Sequence, residues 1–308
     1  MANRKCIAAG RSPAFDVRLT GSGAHLFRPF LAFPEATHTR PQLLVIPAQG
    51  FSKSASYPER LLEADALLAR HEILAAAHAG ADVASSCTGT LLLASTGLLD
   101  GRAATTAWWL APEFQKLFPA VVLNTSDLIV DDGPFTTAGA AMAQMDLMVG
   151  LVARHAGGEI AEACARTMVL DERRSQVPYM AIGLLAASSE SVARATAWAR
   201  TRLHEDISVR ELAAAVGQST RTFARRVHAA TGMSPIRFLQ QLRMERAIEM
   251  LETTSLPFEE VAYRVGYRDP STLRAVIRQR LGVGPRELRH RARSASAAKS
   301  IRGRSEAA

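Results

Sequence analysis

The side chains in this sequence that could do chemistry fall into two groups. The first is a set of arginines at four-residue spacing, Arg221 with Arg225 and Arg274 with Arg278, accompanied by Arg226 and the hydroxyls of Ser219, Thr220, Ser271 and Thr272. Residues four apart share one face of a helix. Guanidinium groups on such a face suit phosphate oxygens and the O6/N7 edge of guanine. The second group centres on Cys87, which stands between Asp82-Val-Ala-Ser-Ser86 and Thr88-Gly89. A thiol at a strand-to-helix turn has helix N–H groups behind it, which would lower its pKa and hold an oxyanion. The plain alternative is a buried cysteine acting as a small hydrophobe.

The arginines are positioned by a pattern written twice. SVRELAAAVG, Ser208 to Gly217, and PFEEVAYRVG, Pro257 to Gly266, place an apolar residue, a Glu, an apolar-plus-Ala pair and a Val-Gly ending at equal offsets. Phe223 and Val227 then answer to Leu273 and Ile277, and Gly232-Met-Ser-Pro235 answers to Gly282-Val-Gly-Pro285. A short helix, a glycine turn, a second helix with a basic outer face and a Gly/Pro stop is the form of a helix-turn-helix. Ser208 and Glu211 have capping-box spacing. Helices are expected over 191–204, from Val209, over 221–230 and over 236–252, the last tying the two copies together. Two readers on one connector would enter successive major grooves of double-stranded DNA, about 34 Å apart. Base-edge contacts are expected from Arg221, Arg225, Ser271 and Arg274, with Thr220 on the same face. Phosphate contacts are expected from Ser219, Arg226, Thr272 and Arg278.

Charge supports a nucleic-acid partner. Residues 1–188 hold 15 Lys/Arg against 17 Asp/Glu, whereas residues 189–308 hold 22 against 12, and 21 of those 22 cations are Arg. The basic excess therefore lies in the half with the repeat. Cys6, Cys87 and Cys164 are few and widely spaced, which fits a reducing compartment and offers neither a disulfide framework nor a zinc spacing. No cofactor or metal is implied. MANRKCIAAG lacks the apolar core of a signal peptide, and the most apolar stretch, 138–153, is too short to span a bilayer and is broken by Asp146. A cytoplasmic chain is expected, with no membrane partner.

In the first half, Phe15 to Leu19 suggests a strand. Leu43-Leu-Val-Ile46 is a continuous apolar run typical of a strand buried on both faces, and it precedes a helix-period segment over 61–79. Asp82 to Ser86 reads as another strand, followed by a helix over 90–96. Further strands are expected at 121–123 and 128–130, a turn at Asp131-Asp-Gly133, and helices over 140–155 and 159–168. Alternating strands and helices mean a parallel α/β sheet with its ligand edge at the strand C-termini.

The run from Cys87-Thr-Gly89 through Leu98-Leu-Asp-Gly101, with Ala104-Thr-Thr106, Trp108, Thr137-Ala-Gly139 and Asp146, resembles the PfpI-type branch of the class I glutamine amidotransferase-like superfamily. Joined to the tandem helix-turn-helix, it resembles the GlxA family of AraC-type transcriptional regulators. That resemblance implies a flavodoxin-like sensing and dimerisation domain over 1–170, a linker over 171–190, an AraC-type all-α domain of two helix-turn-helix units over 191–290 and a disordered basic tail over 291–308. Members begin with an apolar strand and helix, and since none precedes Phe15, either residue 1 is a late start or the domain lacks its first strand–helix unit. Hydrolytic relatives follow the cysteine with His where this chain has Thr88, and Gln49-Gly50 stands where relatives show Gly-Gly; both departures weigh against catalysis. The expected function is a sequence-specific DNA-binding regulator answering to a small-molecule effector. Its pocket would comprise Gly50, Cys87, Thr88, Trp108, Thr137 and Asp146, and an amine would suit the Trp and the carboxylate. A second copy of the chain and RNA polymerase complete the expected partners. The alternative is a Cys87-dependent enzyme of the isocyanide hydratase or amidase type with an appended DNA-binding domain.

Overall fold

In the computed structural model, which describes residues 1–22, 24, 40–49, 56–171, 173 and 175–290, six short strands alternate with helices through the first half of the chain. They are β1 Leu43–Ile46, β2 Asp82–Ser86, β3 Ala103–Ala104, β4 Val122–Leu123, β5 Ile129–Asp132 and β6 Phe135–Ala138. Parallel pairing of β1 with β2 sets Val45 opposite Ala84, and β6 continues the sheet in parallel on the other side of β2. The order is β1-β2-β6-β5, with β5 an antiparallel edge strand, while β3 and β4 form a separate parallel pair. The expected parallel sheet is thus present with one reversed edge. That edge arises because Gly133, at φ +62°, turns the chain straight back; a two-residue hairpin can only be antiparallel.

Helices cover both faces of the sheet. The first-half helices are α1 Ala2–Ala8, α2 Tyr57–Arg60, α3 Ala64–His78, α4 Gly89–Ala94, α5 Ala111–Leu117, α6 Ala143–Ala156 and α7 Gly158–Thr167. Val83 and Phe135 point into one core with Leu91, Leu93, Leu99 and Phe114. Ala84, the residue after Val83, and Ala138, three residues after Phe135, point to the other, against Leu147 and Leu151 of α6. This alternation is the period-2 rule of a strand covered on both sides. Residues 15–19 do not form the expected strand; Leu19 makes only an isolated bridge. The side chain of Asn3 instead holds both backbone groups of Phe15, accepting from its N–H at 3.0 Å and donating to its carbonyl at 2.7 Å. Helix α1, unforeseen from sequence, rests on α7 through Cys6, Ile160 and Cys164.

The chain divides after Arg174 into two compact units. The second is all-helical: α8 Ile182–Ala186, α9 Glu190–Arg200, α10 Val209–Ala214, α11 Thr220–Thr231, α12 Pro235–Thr253, α13 Phe258–Arg264 and α14 Pro270–Leu281. The sequence reading treats 171–190 as linker. The structure corrects this: Val177–Tyr179 is a 3-10 turn, α8 follows it, and Gln176, Val177, Ile182 and Ala186 are buried in the second unit. The tail 291–308 and Gly50 lie outside the described residues.

Candidate nucleic-acid interface and effector site

Each helix of the tandem repeat starts and stops for a local reason. Ser208 caps α10 through the expected box: its Oγ accepts from the Glu211 N–H at 3.2 Å, and Glu211 accepts from the Ser208 N–H at 2.8 Å. Ser219 caps α11 by accepting from the Thr222 N–H, and Asp269 caps α14 by accepting from the Ser271 N–H at 2.9 Å. These caps satisfy donors that the first turn leaves unpaired. Gly217 and Gly266 make the turns at φ +67° and +83°, and Gly232 and Gly282 end the second helices in the left-handed region. Connector α12 is 19 residues long and buries residues nearly all round, from Phe238 to Leu251, as a helix flanked on both sides must.

Phe223 and Val227 of α11, and Leu273 and Ile277 of α14, are fully buried. At 100° per residue that fixes the opposite face. On α11 it carries Arg221 and Arg225, both exposed and making no ion pair or hydrogen bond with a described residue. On α14 it carries Ser271, Ala275 and Arg278, all exposed. The remaining predicted residues are engaged within the unit. Arg226 donates to the Ser191 hydroxyl of α9 at 3.2 Å. Arg274 lies 4.9 Å from the Phe258 ring centre and 3.7 Å from Glu259, both on α13. Ser271 and Thr272 give their hydroxyls to the Asp269 carboxylate, and Ser219 donates to Thr222 Oγ1 at 3.0 Å. Thr220 is exposed at the first position of α11. The two helices thus offer different faces: among the described residues, two arginines without a partner on one and a single arginine opposite the buried side on the other.

In the first unit, Cys87 follows β2 with φ +51°, a left-handed conformation rare for a residue with a side chain. Its N–H donates to Ala138 O at 2.9 Å and its carbonyl accepts from Thr106 Oγ1 at 2.8 Å, so the turn is held from both sides. Thr88 Oγ1 donates to Gln49 O at 2.7 Å and accepts from the Gln49 N–H at 2.8 Å, tying the exit of β1 to the elbow. The thiol does not have the lowered pKa expected of a helix N-terminus. Burial pushes it up, outweighing the hydrogen bonds from Thr88. Alkylation of Cys87 by iodoacetamide at neutral pH should therefore be slower than that of free cysteine by on the order of tenfold; a rate equal to free cysteine would show the thiolate to be stabilised instead.

Three other predicted pocket residues, Thr137, Asp146 and Trp108, have partners of their own within the unit. Thr137 is buried, its Oγ1 accepting from the Thr105 N–H at 2.8 Å. Asp146 receives Arg173 at 2.6 Å and its side chain is only 11% exposed; burial pushes its carboxyl up more than Arg173 pulls it down. From α6 it is Gln144 that reaches the sheet edge, accepting from Ser86 Oγ, because two residues along a helix is more than half a turn. Trp108 is buried edge-on to the half-exposed Trp109, ring centres 5.4 Å apart. Sequence reasoning passed over Tyr57, which packs against the core cluster that contains Cys87; burial, and then the charges of Cys87 and Glu113, push its phenol up. The signal available for Tyr57 was the Ser56-Tyr-Pro-Glu59 capping box that opens α2.

Known proteins match this chain in both halves. A helix-turn-helix domain family covers residues 212–291. The transcriptional regulator ArgR of Pseudomonas aeruginosa is 30% identical over 224 residues, 72% of this chain and 68% of that protein. GlxA of Rhizobium meliloti is 23% identical over 220 residues, covering 70% and 67%. A match of that length exceeds the whole second unit and reaches into the α/β unit. The chain belongs to the GlxA family of AraC-type transcriptional regulators. A further relative, GbdR of Pseudomonas aeruginosa, is 30% identical over 218 residues, 70% of this chain, and this GlxA-family member spans 59% of its length. All three relatives are named as transcriptional regulators. Among the described residues no helix is long and apolar enough to cross a membrane.

Proposed function

We propose that this chain is a sequence-specific DNA-binding regulator that places α11 and α14 in successive major grooves on one face of the duplex. The observation that carries the reading is the pair of exposed arginines on α11, Arg221 and Arg225, unengaged by any described residue and directly opposite Phe223 and Val227. Such a face meets base edges when the buried side is packed on its own domain. Arg221 and Arg225 supply the base contacts, with Thr220 beside them. On α14, Arg278 faces outward and supplies a phosphate contact, with Ser271 at the groove and Arg274 approaching from the flank. Ser219, Arg226 and Thr272 serve the backbone to the extent that their hydrogen bonds within the unit leave donors free. The first reader therefore carries more of the specificity and the second more of the anchoring.

The test is selection of binding sites from a random duplex library, with the native chain and two variants. Arg225→Ala should lose about 1–3 kcal/mol and relax one base position, whereas Arg278→Ala should weaken all sequences alike and lower the salt slope by about one. Identical sequence profiles for the two variants would remove the division of labour, and no enriched sequence for the native chain would remove the DNA reading.

The α/β unit is read as the sensor of a small-molecule effector, held at the strand C-termini beside Cys87, Thr88 and Gln49. Asp146 is paired to Arg173 and Glu113 to Lys116 at 3.8 Å, so the expectation of an amine-bearing effector loses its carboxylate. A thiol pushed up by burial, with Thr88 rather than a base beside it, is poorly set as a nucleophile, so sensing is favoured over hydrolysis. Homodimerisation through this unit, contact with RNA polymerase and a cytoplasmic location complete the proposal.

A further inference from the structure

The segment before α9 is seated against both recognition helices. Its 3-10 turn, Val177–Tyr179, packs on α14, and α8 packs on α11 and α9. At its centre the Ile182 N–H, the first of α8 and so without an intrahelical acceptor, donates to Glu245 Oε1 at 2.6 Å. Glu245 stands midway along α12, and its other oxygen accepts from Arg200 Nη2 of α9 at 3.1 Å. One largely buried carboxylate, 19% exposed, thus joins the segment, the connector and α9.

We propose that Glu245 is a positioning residue for DNA specificity: by seating 175–188 on both readers it fixes the separation of the two half-sites that the chain accepts. The proposal rests on the DNA-binding reading above. A single connector helix leaves α11 and α14 free to twist about their own packing. A strap that touches both, pinned to the connector between them, removes that freedom. Readers one helical turn apart must hold their register to within a base pair, so the strap bears on spacing and not on which bases are read. The strap is also the only covalent route between the α/β unit and the readers, which places any pull from a liganded sensor directly on this joint.

The test uses the full chain and a library in which the two half-sites selected by the native protein are held constant while their separation varies. The native chain should prefer one separation by tenfold or more over its neighbours. Glu245→Leu, which removes both acceptors, should bring the neighbouring separations to within about threefold of the best, while Glu245→Gln, which keeps an acceptor for the Ile182 N–H, should stay near native. Loss of fold alone would weaken every separation equally and leave the preference intact, and that result would overturn the proposal. Should Glu245→Leu not fold, Ile182→Pro decides instead. Proline is tolerated at the first position of a helix; it deletes that N–H and also replaces the buried Ile182 side chain, so a native spacing preference in this variant would overturn the proposal all the more. Failure of the native chain to select any half-site would refute the DNA reading rather than the role of Glu245.

Discussion

Gly266→Ala is expected to lower the unfolding midpoint of the helical unit by on the order of 10–20 °C, a loss of about 2–4 kcal/mol. Two effects add. At φ +83° any L side chain is strained, and a Cβ there would sit 2.2 Å from the Leu203 carbonyl oxygen and 2.9 Å from the Arg243 guanidinium. The guanidinium is not free to swing clear, because Arg243 donates to Glu205 O at 3.0 Å. Relief must therefore come from moving the α9–α10 loop away from the turn of the second reader. Gly217, the matching turn in the first reader, provides the control. Its φ is +67°, but nothing lies within 4 Å of a Cβ placed there, so Gly217→Ala should cost only the left-handed term, about 1–2 kcal/mol. Thermal unfolding of the two variants side by side measures the difference; equal losses would mean that the contact with Leu203 is not tight.

The two turns look identical in sequence, each a Val-Gly, and that equality marks the limit of what a sequence can tell. The helices of the repeat were legible because their signals are local: caps at Ser208 and Ser219, glycines in the left-handed region, apolar residues four apart. The strand at 82–86 was legible because it runs into a glycine-bearing turn. Strand β6 was not, since Phe135-Thr-Thr-Ala138 has few apolar letters; its buried Thr137 is satisfied by Thr105, 32 residues away. The strap at 175–188 read as linker because the Pro and Ser pairs that mark loops also open and close a 3-10 turn and a five-residue helix. Among site residues, the outward arginines of α11 followed from periodicity, but the engagement of Arg226 by Ser191, of Arg274 by Phe258 and of Asp146 by Arg173 depends on partners at distances that no local pattern encodes.

Gly89→Ala in the α/β unit is expected to destabilise it by about 1–3 kcal/mol and to speed alkylation of Cys87. Helix propensity alone predicts the opposite sign, since Ala is favoured over Gly within a helix by about 1 kcal/mol, and Gly89 opens α4. The decision lies with packing. A Cβ at this position would meet Pro47 O at 2.5 Å, Ile46 O at 2.8 Å and Pro47 C at 3.1 Å, all of them backbone atoms at the exit of β1. Thr88 Oγ1 bonds both backbone groups of Gln49 and pins that exit against the elbow. The added methyl can be accommodated only by lifting the end of β1 from the start of α4, which uncovers the thiol that burial now shields. Unfolding and alkylation should shift together: a variant that melts earlier with Cys87 still shielded would place the strain elsewhere, and one that melts later would show that the close approach of β1 yields for less than the helix gains.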